Sequence, residues 1–166
     1  MHNLIQWLAR ASALMGGLVL VALIVLMTTS ITMRALNLGE VNGAYEILEA
    51  GVGFAIFAFF PICQFHGAHA TVDVFTSALP ARFNRILIAI WEVVLTAAII
   101  FIAFRLYAGM ERYLGNGETT LFLQFPVWWG YAASMIGASA ASVTGLYCSV
   151  SRIRESVTGH SILPVG

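Results

Sequence analysis

His66 and His69 stand three residues apart, with Cys63 before them and Asp73 after them, in a chain otherwise poor in polar groups. Side chains three apart share a helical face, and metal sites use such pairs. Yet Gly67 interrupts this one, and a catalytic zinc takes three protein ligands; Asp73 is the nearby candidate for the third. A heme held between helices wants histidines deep in two different spans, whereas His2 and His160 lie in the tails. Neither a metal nor a cofactor is expected. The stretch reads more simply as a polar turn at a membrane edge. Pro61 removes a backbone donor and so ends or kinks the helix before it, and Gly67 supplies the turn. Val72, Phe75, Thr76 and Leu79 then recur at helical spacing, Thr71 is placed to cap that segment, and Pro80 stops it. The pattern predicts a short amphipathic helix in the interface, turned by Gly67, His69, Asp73 and Pro80, with Arg82 and Arg85 anchoring it to lipid headgroups.

The carboxylates offer a second chemistry. Glu46 and Glu49 lie one helical turn apart, at the depth of Arg34 and Arg105 on neighbouring spans. Charges in a membrane are expensive and mark function or pairing; at the interface water lowers that cost. A partly paired cluster of these four is expected. Solvated helix ends, a lock onto a larger partner and an ion path are the three uses open to it. Glu92, beside Trp91 and some six residues into the third span, is expected to snorkel to the near interface or to bond a neighbouring helix; a proton relay is the sharper alternative.

The elements that position these groups follow from hydropathy. The chain has 166 residues, 60% hydrophobic and 10% charged, where soluble domains carry about a quarter charged residues. Its mean hydropathy is +0.87. Four continuous apolar runs, roughly 11–33, 44–65, 86–107 and 127–150, meet the length of about 20 residues that a membrane-spanning helix needs. A strand barrel would instead alternate over segments of about ten. The fold class is therefore an all-α integral membrane protein: four transmembrane helices with a short interfacial helix between the second and third, in a single membrane domain over residues 1–166. The first run exceeds the apolar region of a signal peptide and is read as a retained helix.

All eight basic residues are arginine. Arg10, Arg82, Arg85, Arg152 and Arg154 fall on one side of a four-helix hairpin, and Arg34, Arg105 and Arg112 on the other. Positive residues favour the cytoplasm, so both termini and the second loop are expected inside. Trp7 marks the inner interface, and Trp128, Trp129 and Tyr131 the outer one. Gly115-Asn116-Gly117 reads as a turn, and the apolar stretch at 121–125 is expected to lie against the bilayer or another protein. No arginine cluster suits a nucleic acid. Cys63 and Cys148 read as small buried hydrophobes, since the cytoplasmic side is reducing. On the fourth span Ala133, Gly137, Ala141 and Gly145 repeat every four residues. Such a smooth ridge lets two backbones come close, either within the chain or against a partner helix.

With no nucleophile beside a base, no phosphate-binding glycine loop and no convergent polar groups, the residues argue against an enzyme. A bland midplane argues against an independent transporter. A small membrane protein acting alone as a carrier, or as a membrane enzyme subunit, is the alternative to an assembly subunit.

Glu46-Ile-Leu-Glu49 opens one span, Gly67-Ala-His69, Val72-Asp73 and Leu79-Pro80 follow its far end, and Pro126-Val-Trp128-Trp129-Gly130-Tyr131 starts the last. In this order the chain resembles the small membrane subunit (the Q subunit) of tripartite ATP-independent periplasmic, or TRAP, transporters, over roughly residues 45–136. A second proline, often present after the last motif in that family, is missing here. The resemblance implies a non-catalytic scaffold in a bacterial inner membrane, packed among phospholipids against a large membrane subunit. That subunit carries a small, carboxylate-type substrate inward with sodium, and a periplasmic binding protein docks weakly on the outer loops. Arg34, Glu46, Glu49 and Arg105, with Gly137, Ala141 and Gly145, are the residues expected at the partner interface.

Overall fold

Each apolar run becomes a helix, and the polar residues at its ends prolong it. The computed structural model describes residues 2–66 and 81–158. Among these, α1 is His2–Ala35, α2 is Ala44–His66, α3 is Ala81–Asn116 and α4 is Trp128–Thr158. All four are long and apolar enough to cross a membrane. The 36 residues of α3 extend roughly 54 Å at the helical rise, well past a hydrocarbon core of about 30 Å. Hydropathy marks only the part of a helix that lies in lipid, which is why the runs fall short of the helices. The segment expected to form the interfacial helix, including Gly67, His69, Asp73 and Pro80, lies outside the described residues.

One of the two fates expected for Pro61 is excluded. Pro61 does not end α2, which continues to His66 with the proline ring buried inside it. The ring costs the helix one backbone bond, to the carbonyl of Phe57, and surrounding helices shield the site. The turn expected at Gly115-Asn116-Gly117 forms at its last residue: α3 runs to Asn116, and Gly117, at φ 62°, takes the left-handed conformation that closes a helix. The end of α1 is tighter. Leu38 N–H donates to Met33 C=O (2.9 Å) and Asn37 N–H to Arg34 C=O (3.1 Å), with Asn37 at φ 58°. This is the Schellman arrangement, with asparagine where glycine is commoner.

The inner pair is α2 and α4. α1 packs on α2 and α3 packs on α4, while α1 and α4 barely meet. Lipid offers no hydrophobic drive for helices to associate, so close backbone approach must supply the contact energy. The small residues of α4 do this. A Cβ on Gly137 would stand 2.8 Å from Phe57 Cβ and 2.9 Å from the Phe57 carbonyl carbon. Ala138 and Ala141 are fully buried on the same helix. At the far end Ile5 and Ala9 of α1, Phe65 of α2 and Cys148 of α4 form a small apolar cluster.

Gly137→Leu should therefore force α2 and α4 apart rather than fill a gap. Overpacking of this kind costs about 1–3 kcal/mol or more. Unfolding of the purified chain in mixed micelles should show the loss, while a leucine at exposed Ser139 should leave the midpoint in place.

Candidate functional site

The described polar residues gather at the two ends of the helix pair. At one end the α3–α4 connection forms a small hairpin. Val127 N–H donates to Glu118 C=O (3.0 Å) and Thr120 N–H to Phe125 C=O (2.9 Å), Thr119 bridges Pro126, and Gln124 at φ 56° turns the tip. The tip folds onto the start of α2. Glu46 accepts N–H bonds from Phe122 (2.7 Å) and Leu123 (3.0 Å). The Leu123 side chain fills the space over Gly43, where a Cβ would collide with it. A carboxylate accepting two amides in this way is a charge-assisted clamp. The apolar tip thus has one residue seated on α2, while Leu121 and Phe122 stay exposed.

The four charges expected to pair with one another do not. Glu46 is taken by the hairpin amides. Arg34 lies 4.0 Å from Glu40 instead, both largely exposed, a contact worth about 0–1 kcal/mol at most. Glu49 is exposed one turn along α2. Arg105 is exposed on α3, next to exposed Phe104 in the chain and one turn on from exposed Phe101. Depth along a span was legible in the sequence. Rotation about each helix axis was not, and it sends these side chains to different neighbours.

The other end holds a polar clasp whose full membership the sequence did not disclose. Glu92 is 5% exposed, and it bonds a neighbouring helix instead of snorkelling. Gln64 Nε2 of α2 donates to Glu92 Oε1 (3.3 Å) and Thr96 Oγ1 (3.2 Å) of α3. The Thr96 and Ser149 hydroxyls share a bond of 2.8 Å, and Ser149 of α4 also donates to the Glu92 carbonyl (3.3 Å). Three helices are joined by bonds that each use at least one side chain. Gly145 makes this possible: a Cβ there would stand 2.7 Å from Gln64 Nε2 and 2.9 Å from Thr96 Oγ1. One turn on, Arg152 and Glu155 form a buried ion pair at 3.1 Å. The signal that points to the clasp is the set of uncharged polar residues, Gln64, Thr96 and Ser149, at similar depth on three spans.

The ridge of Gly137, Ala141 and Gly145 is seated within the chain, Gly137 on α2 and Gly145 on Gln64 of α2 and Thr96 of α3, the internal alternative of the two expected for it. Trp7 is exposed on α1, Trp129 is exposed at the start of α4, and Trp128 is half-buried beside it with rings 6.2 Å apart. Arg82 and Arg85 lie on the first turns of α3. Cys148 is buried and Cys63 half-buried, both as free thiols. His66 Nδ1 lies 3.1 Å from the Ile62 carbonyl. Among the described residues no three His, Cys, Asp or Glu side chains converge on a metal position.

Two outcomes follow. Gln64→Leu should strand the Glu92 carboxylate in a buried place, while Thr96 keeps its bond to Ser149, lowering stability by about 1–3 kcal/mol; chemical unfolding in micelles measures it. Glu46→Gln should speed amide hydrogen exchange at Phe122 and Leu123 without altering exchange in α4.

The architecture is thus four helices long and apolar enough to span a membrane, with a clasp and a hairpin clamp of polar side chains that close the chain on itself. The family model that describes tripartite ATP-independent periplasmic transporters, DctQ component, matches residues 23–155, from the middle of α1 to the last turn of α4. No curated protein matches the chain. The match covers most of the sequence and all or part of every helix: the chain belongs to the DctQ component family, the small membrane component of TRAP transporters.

Proposed function

We propose that this chain is the non-catalytic scaffold subunit of a sodium-coupled TRAP transporter. It packs against the large membrane subunit in a bacterial inner membrane, with both termini cytoplasmic, and supports uptake of a small carboxylate delivered by a periplasmic binding protein. The observation that carries the proposal is the position of α1 and α3. Each rests mainly on one member of the inner pair, so a long apolar side of each has no partner among the described residues. On α3 that side carries Trp91, Phe101 and Phe104, with Arg105 among them. Among the described residues Arg105 has no ion pair. A charge on such a surface is costly in lipid and is kept where it pairs or functions.

A scaffold needs rigid spacing more than a site. The ridge of Gly137, Ala141 and Gly145 sets that spacing from behind, and Arg34, Glu49 and Arg105 remain available at the edges. Glu46 serves the contact indirectly, by holding the hairpin in place. The hairpin tip, with Leu121 81% exposed and Phe122 beside it, is the loop offered to the binding protein. The buried clasp joins Glu92 to neutral partners on two other helices, which suits a fixed brace rather than a moving gate.

The chain expressed with the large hydrophobic protein encoded beside it should co-purify with it in detergent. Alone in liposomes it should move no solute. Arg105→Leu should reduce recovery of the large subunit several-fold while leaving the small subunit folded. Flux through the chain on its own would overturn the scaffold reading.

A further inference from the structure

Between α2, α3, α4 and the hairpin lies a cleft of about 430 Å³, within the usual size of small-ligand sites. Three carboxylates line it: Glu46 and Glu49 from α2, and Glu118 at the base of the hairpin. Among the described residues no basic side chain lines it. Glu46 is already engaged by the amides of Phe122 and Leu123. The carboxylates of Glu49 and Glu118 have no hydrogen bond or ion pair among the described residues, so their acceptor capacity is unspent.

A second observation is independent of the acids. Ser134 of α4 also lines the cleft, is 6% exposed, and makes no hydrogen bond among the described residues. Serines within helices commonly return the hydroxyl to a carbonyl of the preceding turn. Ser142 does so to Ala138 (2.8 Å) and Ser139 to Ile136 (2.8 Å). Ser134 does not. Its Oγ lies 3.1 Å from where a Cβ on Gly53 would stand, and Gly53 is one turn from Glu49 on α2. The hydroxyl and the carboxylate therefore belong to one wall. The hydroxyl keeps open lone pairs toward the cleft that a ligand donor can fill.

We propose that this cleft binds an ammonium or guanidinium group carried on a short apolar stem. The cation sits between Glu49 and Glu118, Ser134 Oγ accepts one of its N–H groups, and the stem lies along Leu106 and Val127. Anions are repelled by the carboxylates. A bare metal ion lacks a converging ligand set among the described residues. The cation can come from a lysine or arginine of a protein partner, from an amine lipid headgroup or from a soluble amine.

The test uses the full chain in dodecyl maltoside, titrated with n-butylguanidinium, n-butylammonium and, as a neutral control, n-butanol, with binding read by calorimetry. Both cations should saturate and butanol should not. Glu49→Gln, at an exposed position that leaves the fold intact, should weaken the cations about tenfold, as loss of one charge-assisted bond implies; Ser134→Ala should weaken them several-fold. Equal binding of butanol, or no change in Glu49→Gln, would overturn the proposal. The sources separate in two further arms. Occupation by a lipid amine lowers apparent affinity in phosphatidylethanolamine nanodiscs relative to phosphatidylglycerol ones. Occupation by a protein side chain abolishes binding in the complex with the large subunit. Binding preserved in both arms assigns the site to a soluble amine. The cleft is separate from the exposed sides of α1 and α3, so its failure would leave the scaffold reading standing, and the reverse holds.

Discussion

The close approach of α2 and α4 is the contact on which the rest of the molecule depends. In lipid, an apolar side chain gains nothing by leaving the hydrocarbon for a neighbouring helix, so association rests on packing and on hydrogen bonds. Gly137 against Phe57 and Ala58, with Ala138 and Ala141 fully buried, supplies the packing. α1 is added to the α2 side of this pair and α3 to the α4 side. The hairpin docks at one end of the pair and the clasp closes the other. Without the seam, Gln64 would not reach Glu92, and Glu46 would not reach the hairpin amides.

The polar groups divide into two kinds of work. At the clasp they are buried and bonded across three helices, with Gln64 Oε1 left without a partner, and these bonds fix helix rotation at a depth where bare apolar surfaces would slide. At the hairpin end they are exposed or half-buried, and a single carboxylate organises a loop by accepting two of its amides. Both arrangements hold the chain in one shape. That is the property a static member of a transport assembly requires, and it sits well with membership of the DctQ component family. The cleft at the hairpin end stands apart, because there carboxylates and a buried hydroxyl face space rather than one another.

Particular residues show where sequence reasoning reached its limit. Glu46 was legible as an important interfacial charge, but its partners are backbone amides some 76 residues away, and amides leave no mark in a sequence. Pro61 was legible as a lost hydrogen bond, yet a helix packed on both sides tolerates that loss. Glu92 was legible as an intramembrane carboxylate with two ordinary fates, and only the position of Gln64 decides between them. The every-fourth ridge on the last span was plain, whereas the helix that fills it was not.

Residue chemistry along the chain suffices to say that the described residues are helical, that four helices are long and apolar enough to span a membrane, that small residues line one side of the last of them, and which family the chain belongs to. These follow from hydropathy, residue size and motif order, which are local and add along the chain. Tertiary structure decided which helices form the inner pair, that the expected charge cluster is divided among other partners, and that Gln64, Glu92, Thr96 and Ser149 meet. Those outcomes depend on the rotation and relative depth of each helix. A shift of one residue turns a side chain by about 100° on a helix of 3.6 residues per turn, so partners are chosen only when the backbones are in place.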